Sequence, residues 1–139
     1  MISLELARTL ARAGLRWRPA SGDRFTIDQP ELSGEVFTVS ELTVEAHEFP
    51  TGTILGFNGT TEWALDSVTL EDTVWLPRED QLRELLGATF RGLEREDGMF
   101  RVRATFAADG GEEEVAHTAP GAADAYGAAL LDLIERSSR

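Results

Sequence analysis

A chain of 139 residues fits one domain, and about 70% of the unfolded surface is buried on folding at this length, so one core suffices. Hydrophobic residues at 42% and charged residues at 27% are ordinary for a globular protein and argue against disorder. With no Cys among them, disulfides, Cys-bound zinc, iron–sulfur clusters and thiol nucleophiles are excluded, and the net charge of −12 weighs against nucleic acid and anionic membranes as partners.

Residues 3–14 read as a helix. Ser3 suits the N-cap, Glu5 the positive end of the dipole and Gly14 a C-terminal stop. Leu6, Leu10 and Ala13 fall on one face, with Arg8 and Arg12 off it. A polar loop at 18–23 follows, and then a strand-rich stretch: 24–27, 36–39 and 42–49, rich in Val, Phe and Thr. In the last, Leu42, Val44 and Ala46 share one face and Thr43, Glu45 and His47 the other. Pro50-Thr-Gly52 is a turn into 54–57, which predicts a hairpin over 42–57, and Asn58-Gly59 is another turn. Residues 62–68 read as a further strand.

A second helix is expected over 77–87, with Pro77 at the first position, Glu79 and Asp80 in the first turn, a buried face of Leu82, Leu85 and Leu86, and Gly87 at the end. Strands at 89–95 and 99–106 are joined by Asp97-Gly98. In the second, Phe100, Val102, Ala104 and Phe106 alternate with Arg101, Arg103 and Thr105, the pattern of a half-exposed antiparallel strand. A turn at 108–111 leads to a short strand at 113–117, and a last helix spans 122–136 with Tyr126, Leu130, Leu133 and Ile134 as its core stripe. Strands follow one another without intervening helices. The order α-β-β-β-(β)-α-β-β-(β)-α predicts an α+β fold over 1–139: one domain, one antiparallel sheet of about five to seven strands, and three helices.

The charge is unevenly spread. Residues 1–18 carry four Arg and Glu5, a net +3; residues 19–77 carry eleven acids and Arg24, a net −10. Residues 78–108 balance, and residues 109–139 stand at −5. An acidic middle third suits solubility or a basic protein partner. The N-terminus lacks the basic start and apolar run of a signal peptide, and no apolar stretch approaches the roughly 20 residues of a membrane helix, so a cytoplasmic location is expected.

Catalytic signatures are absent. His47 and His117 lie in no metal-binding spacing and read as ordinary strand histidines. The acidic runs Glu71-Asp72, Glu79-Asp80 and Glu112-Glu113-Glu114 read as solvated surface or helix N-terminal charge. No serine sits in GxSxG, GxGxxG does not occur, and a Walker loop is ruled out without Lys. No metal or cofactor is expected. Trp17, Trp63 and Trp75 stand near element borders, where a Trp either closes the edge of a small core or anchors a binding surface.

Three stretches carry a resemblance: Gly14-Leu-Arg-Trp-Arg-Pro-Ala-Ser-Gly-Asp-Arg-Phe25, Gly56-Phe-Asn-Gly-Thr-Thr-Glu-Trp-Ala-Leu-Asp-Ser-Val68 and Trp75-Leu-Pro-Arg-Glu-Asp-Gln-Leu82. Together with the helix around Ala125-Tyr-Gly-Ala-Ala-Leu-Leu131, the chain resembles, along nearly its whole length, short actinobacterial proteins labelled "pilus assembly protein CpaE". The third stretch is also similar to a segment of small phage-associated proteins. The resemblance implies no catalytic residues. The larger pilus-assembly protein of that name carries a MinD-like ATPase domain, whose phosphate loop and Lys have no counterpart here.

Two readings follow. The first is a non-enzymatic cytosolic protein–protein interaction module whose acidic face, including Glu45, meets a basic protein, with Trp17, Trp63 or Trp75 as anchors; self-association stays open. The alternative is a small-molecule-binding domain or small enzyme with a pocket near Asn58–Asp66, lined by Asn58, Glu62, Trp63 and Asp66.

Overall fold

The computed structural model describes residues 1–29, 34–39, 44–49, 52–57 and 67–138, with the backbone alone for 44–49, 52–57 and 67–70. The fold is α+β, with three α-helices and antiparallel strand pairing throughout the described residues. The chain divides into two compact units, 17–76 and the pair of segments 1–16 and 77–139.

In the first segment, helix α1 (Leu4–Ala13) begins where the sequence places it. The Ser3 hydroxyl accepts from the Leu6 N–H at 3.3 Å, and Gly14, at φ 115°, takes the left-handed conformation that ends the helix. Ala7 and Leu10 are its buried residues. Helix α2 (Glu79–Leu86) starts two residues later than the Pro77 reading implies. Arg78 is the N-cap, and its N–H donates to the Gln81 side chain at 2.9 Å. Leu82 and Leu86 are buried, whereas Leu85, expected in the core, is exposed.

A 3-10 turn (Gly87–Thr89) leads into a meander of β1 (Phe90–Glu96), β2 (Met99–Ala108) and β3 (Gly111–Ala119). Asp97 and Gly98, at φ 52° and 77°, make the tight turn between β1 and β2 that their pairing requires. Val102, Ala104 and Phe106 are buried, as their alternation predicts. Helix α3 (Ala122–Ser137) lies against β2, β3, α1 and α2. Its buried side is mostly small: Ala122, Ala123, Ala125, Ala129, with Tyr126 and Leu130. Leu133 and Ile134, expected in the stripe, are half-buried. At Gly127 a Cβ would stand 2.7 Å from Leu6 Cδ2, so glycine permits the close approach of α1 to α3.

The described residues of the 17–76 unit hold six further strands: β4 (Arg24–Ile27), β5 (Phe37–Thr38), β6 (Val44–Phe49), β7 (Gly52–Phe57), β8 (Ser67–Thr69) and β9 (Thr73–Trp75). β6 and β7 form the expected hairpin, Phe49 opposite Gly52. The strand order is β5-β4-β9 in one sheet and β6-β7-β8 in another. One sheet of five to seven strands is therefore not what the pairing gives: the nine described strands form three sheets of three. Which strands pair is decided by contacts between distant segments, such as Thr26 with Val74, and adjacency in sequence does not reveal it. The core of this unit stacks Trp17 on Phe25 and Phe25 on Phe37, at centroid distances of 5.2 and 5.5 Å, with Ile27, Val39, Val74 and Leu76 also buried.

Candidate functional site

Residues 79, 80, 83, 84 and 87 lie along one side of α2 because they recur at helical spacing. Leu82 and Leu86 turn the opposite side into the core, which leaves Glu79, Asp80, Arg83 and Glu84 facing outward. The chain then returns through Phe90 into β1. Register is irregular between Phe90 and Gly92, a bulge that places one extra residue, Arg91, on this strand. As a result Phe90 pairs with Ala104 and Leu93 with Val102, so both share the inner face with those buried residues. Tyr126 of α3 completes the enclosure. These elements line a wide-mouthed groove of about 610 Å³.

Its floor is apolar and aromatic. The Phe90 and Tyr126 rings stand 5.7 Å apart, tilted by 32°, and Leu93 remains 40% exposed beside them. The Arg83 guanidinium lies over the Phe90 ring, 4.5 Å from its centroid, and makes no ion pair among the described residues. On the rim, Asp80 is held by Arg78 at 3.1 Å, whereas Glu79 and Glu84 have no ion-pair partner among the described residues. Tyr126 is only 4% exposed, yet its hydroxyl has no hydrogen-bond partner among the described residues. Burial raises its pKa above the ordinary phenol value; Arg83 opposes this and Glu79 adds to it. The hydroxyl lies on the lining of the groove, where it is open to a group supplied from outside.

No protein-family model matches the chain, and no curated protein or solved structure matches it either. The chemistry of the groove is therefore what a functional reading rests on.

A second polar cluster joins β3 to α3. His117 Nε2 is 2.9 Å from Asp132 Oδ2, Arg136 Nε donates to Asp132 Oδ1 at 2.7 Å, and Arg136 Nη1 donates to Glu113 Oε2 at 2.8 Å. The Arg136 guanidinium also covers the Phe106 ring at 5.1 Å. Burial alone would raise the Asp132 pKa, but the hydrogen bonds from Arg136 and His117 outweigh it, and the carboxyl is held below its ordinary value. Glu113 and Asp132 in turn hold the Arg136 pKa above the ordinary value. No hydroxyl bonds His117, and no group of three His, Asp or Glu able to hold a metal occurs among the described residues. The cluster ties the helix to the strand.

Of the binding candidates chosen from the sequence, Trp17 and Trp75 have described side chains, and neither lines the groove. Trp17 is 9% exposed, its Nε1 donating to Asp23 Oδ2 at 2.9 Å, and it serves the core rather than offering its ring to a partner. Asp23, itself buried, also accepts from the Ala20 N–H at 3.0 Å. Trp75 is half-buried in β9, and its Nε1 is buried with no hydrogen-bond partner among the described residues. The side chain of Glu45 and all of Asn58, Glu62, Trp63 and Asp66 lie outside the described residues. Glu79 and Asp80 were legible as helix N-terminal charge and Tyr126 as core, but nothing local joins them to Phe90 and Leu93. The one available signal was the run of polar residues at helical spacing from 79 to 84, opposite Leu82 and Leu86.

Proposed function

We propose that the chain is a non-enzymatic, cytosolic protein-interaction module that receives a basic segment of another protein in the groove of α2, β1 and α3. The observation that carries this reading is the combination of an aromatic floor with two unpaired rim carboxylates, Glu79 and Glu84. Aromatic residues in partly desolvated depressions are the usual anchors of interfaces, and surrounding charge selects the partner. The overall charge of −12 favours a cationic partner at longer range.

The test uses tagged full-length chain, as wild type and as the double variant Glu79→Arg/Glu84→Arg, for affinity purification from the source organism followed by mass spectrometry. Wild type is expected to recover proteins with exposed basic segments, and the variant to lose them while keeping its helical circular dichroism. Recovery of the same proteins by both would place docking elsewhere on the chain and defeat the proposal.

A further inference from the structure

We propose that the groove takes an arginine side chain of its partner, and that Arg83 is the chain's own stand-in for that arginine, lying on Phe90 until the partner displaces it. This rests on the groove being the docking site. Arg83 Cζ lies over the Phe90 ring, 4.5 Å from its centroid. A planar guanidinium stacks on an aromatic face as a compact, strongly hydrated ammonium does not, so the arrangement selects arginine over lysine. Arg83 has no carboxylate partner among the described residues. Its hold on the ring is therefore the modest one of an exposed cation–π contact, which an incoming cation can replace at little cost.

Three neighbouring groups fit the replacement. The Tyr126 hydroxyl, on the groove lining and without a hydrogen bond among the described residues, can accept from a guanidinium N–H. Glu79 and Glu84 carry unpaired negative charge to meet the second cation. Leu93, exposed on the floor, offers apolar surface to a residue next to the arginine. Arg83 therefore sets affinity from within. While it lies on the ring it occupies the stacking face and repels the incoming charge, so removing it should help binding rather than harm it.

The experiment is an NMR titration of the full-length 15N-labelled chain with acetyl-Arg-Leu-amide, acetyl-Lys-Leu-amide and acetyl-Glu-Leu-amide, for wild type, Arg83→Gln and Tyr126→Phe. The arginine peptide is expected to shift the amides of Gly87, Phe90, Leu93 and Tyr126, and the lysine peptide to bind more weakly. Arg83→Gln should tighten binding of the arginine peptide about two- to five-fold, the equivalent of one exposed cation–π contact. Tyr126→Phe should weaken it about two- to ten-fold, the range of one hydrogen bond. If arginine and lysine bind equally, or if Arg83→Gln leaves affinity unchanged or lower, the stand-in role is overturned while docking in the groove stands. If no peptide shifts these amides in either wild type or Arg83→Gln, docking in the groove falls as well.

Discussion

Single residues in this protein are set by what they must satisfy. Trp17 shows this most clearly, because its indole N–H and the Asp23 carboxylate are both buried and complete each other. Trp17→Phe keeps an aromatic ring near Phe25 but removes the donor, and should cost about 1–3 kcal/mol. Trp17→Ala also leaves a cavity, and should cost about 3–5 kcal/mol. Urea unfolding at neutral pH checks both; a midpoint for Trp17→Ala equal to wild type would show that the ring is not core. Asp132 behaves in the same way on the other unit, where its pKa is lowered by the hydrogen bonds from Arg136 and His117. A carboxyl lowered in the folded state adds stability above its unfolded pKa and loses it as pH falls through the folded one. Asp132→Asn should therefore destabilise by about 1–3 kcal/mol at pH 7. The gap from wild type should narrow below about pH 4, where the unfolded carboxyl takes up its proton. Melting temperatures measured from pH 7 to pH 3 give the comparison, and a gap that widens toward acid would contradict the assignment.

At the scale of elements, local chemistry and packing agree at most helix ends and part company on faces. Ser3 and Gly14 bracket α1 as their types predict, and Asp97-Gly98 turns the chain between β1 and β2. Faces are less local. Leu85 fits the apolar stripe of α2 by spacing and is exposed, while the buried side of α3 is built from Ala with Gly127 because α1 comes close there. Gly127→Leu should push the Leu6 and Ile2 side chains out of place and cost about 1–3 kcal/mol, as overpacking does. Thermal unfolding measures it, and the companion change Leu6→Ala, which vacates the space, should recover part of the loss. If Gly127→Leu melts with wild type, α1 and α3 do not depend on that contact.

For the molecule as a whole, charge is the quantity that acts at a distance. A net charge of −12 should speed association with a basic partner at low salt and lose that effect as the Debye length contracts from about 10 Å at 0.1 M to about 3 Å at 1 M. Stopped-flow association rates across this range test it, and a rate indifferent to salt would remove electrostatic steering from the account. Titration calorimetry with Mg-ATP should give no heat, since no Lys is present to reach a phosphate chain. The sequence by itself determined the α+β class, the three helices and the β6–β7 and β1–β2 hairpins, because capping, apolar periodicity and turn residues act over a few neighbouring positions. It also determined the charge and, with no Cys and no Lys, excluded thiol chemistry and a Walker loop, which depend on composition alone. Tertiary structure decided the rest. The pairing of β4 with β9, the separation of the nine described strands into three sheets and the burial of Trp17 arise from contacts between segments far apart in the chain. The groove is of the same kind: it exists because α2, the bulged start of β1 and Tyr126 of α3 converge, and no periodicity within any one of them encodes where the other two will be.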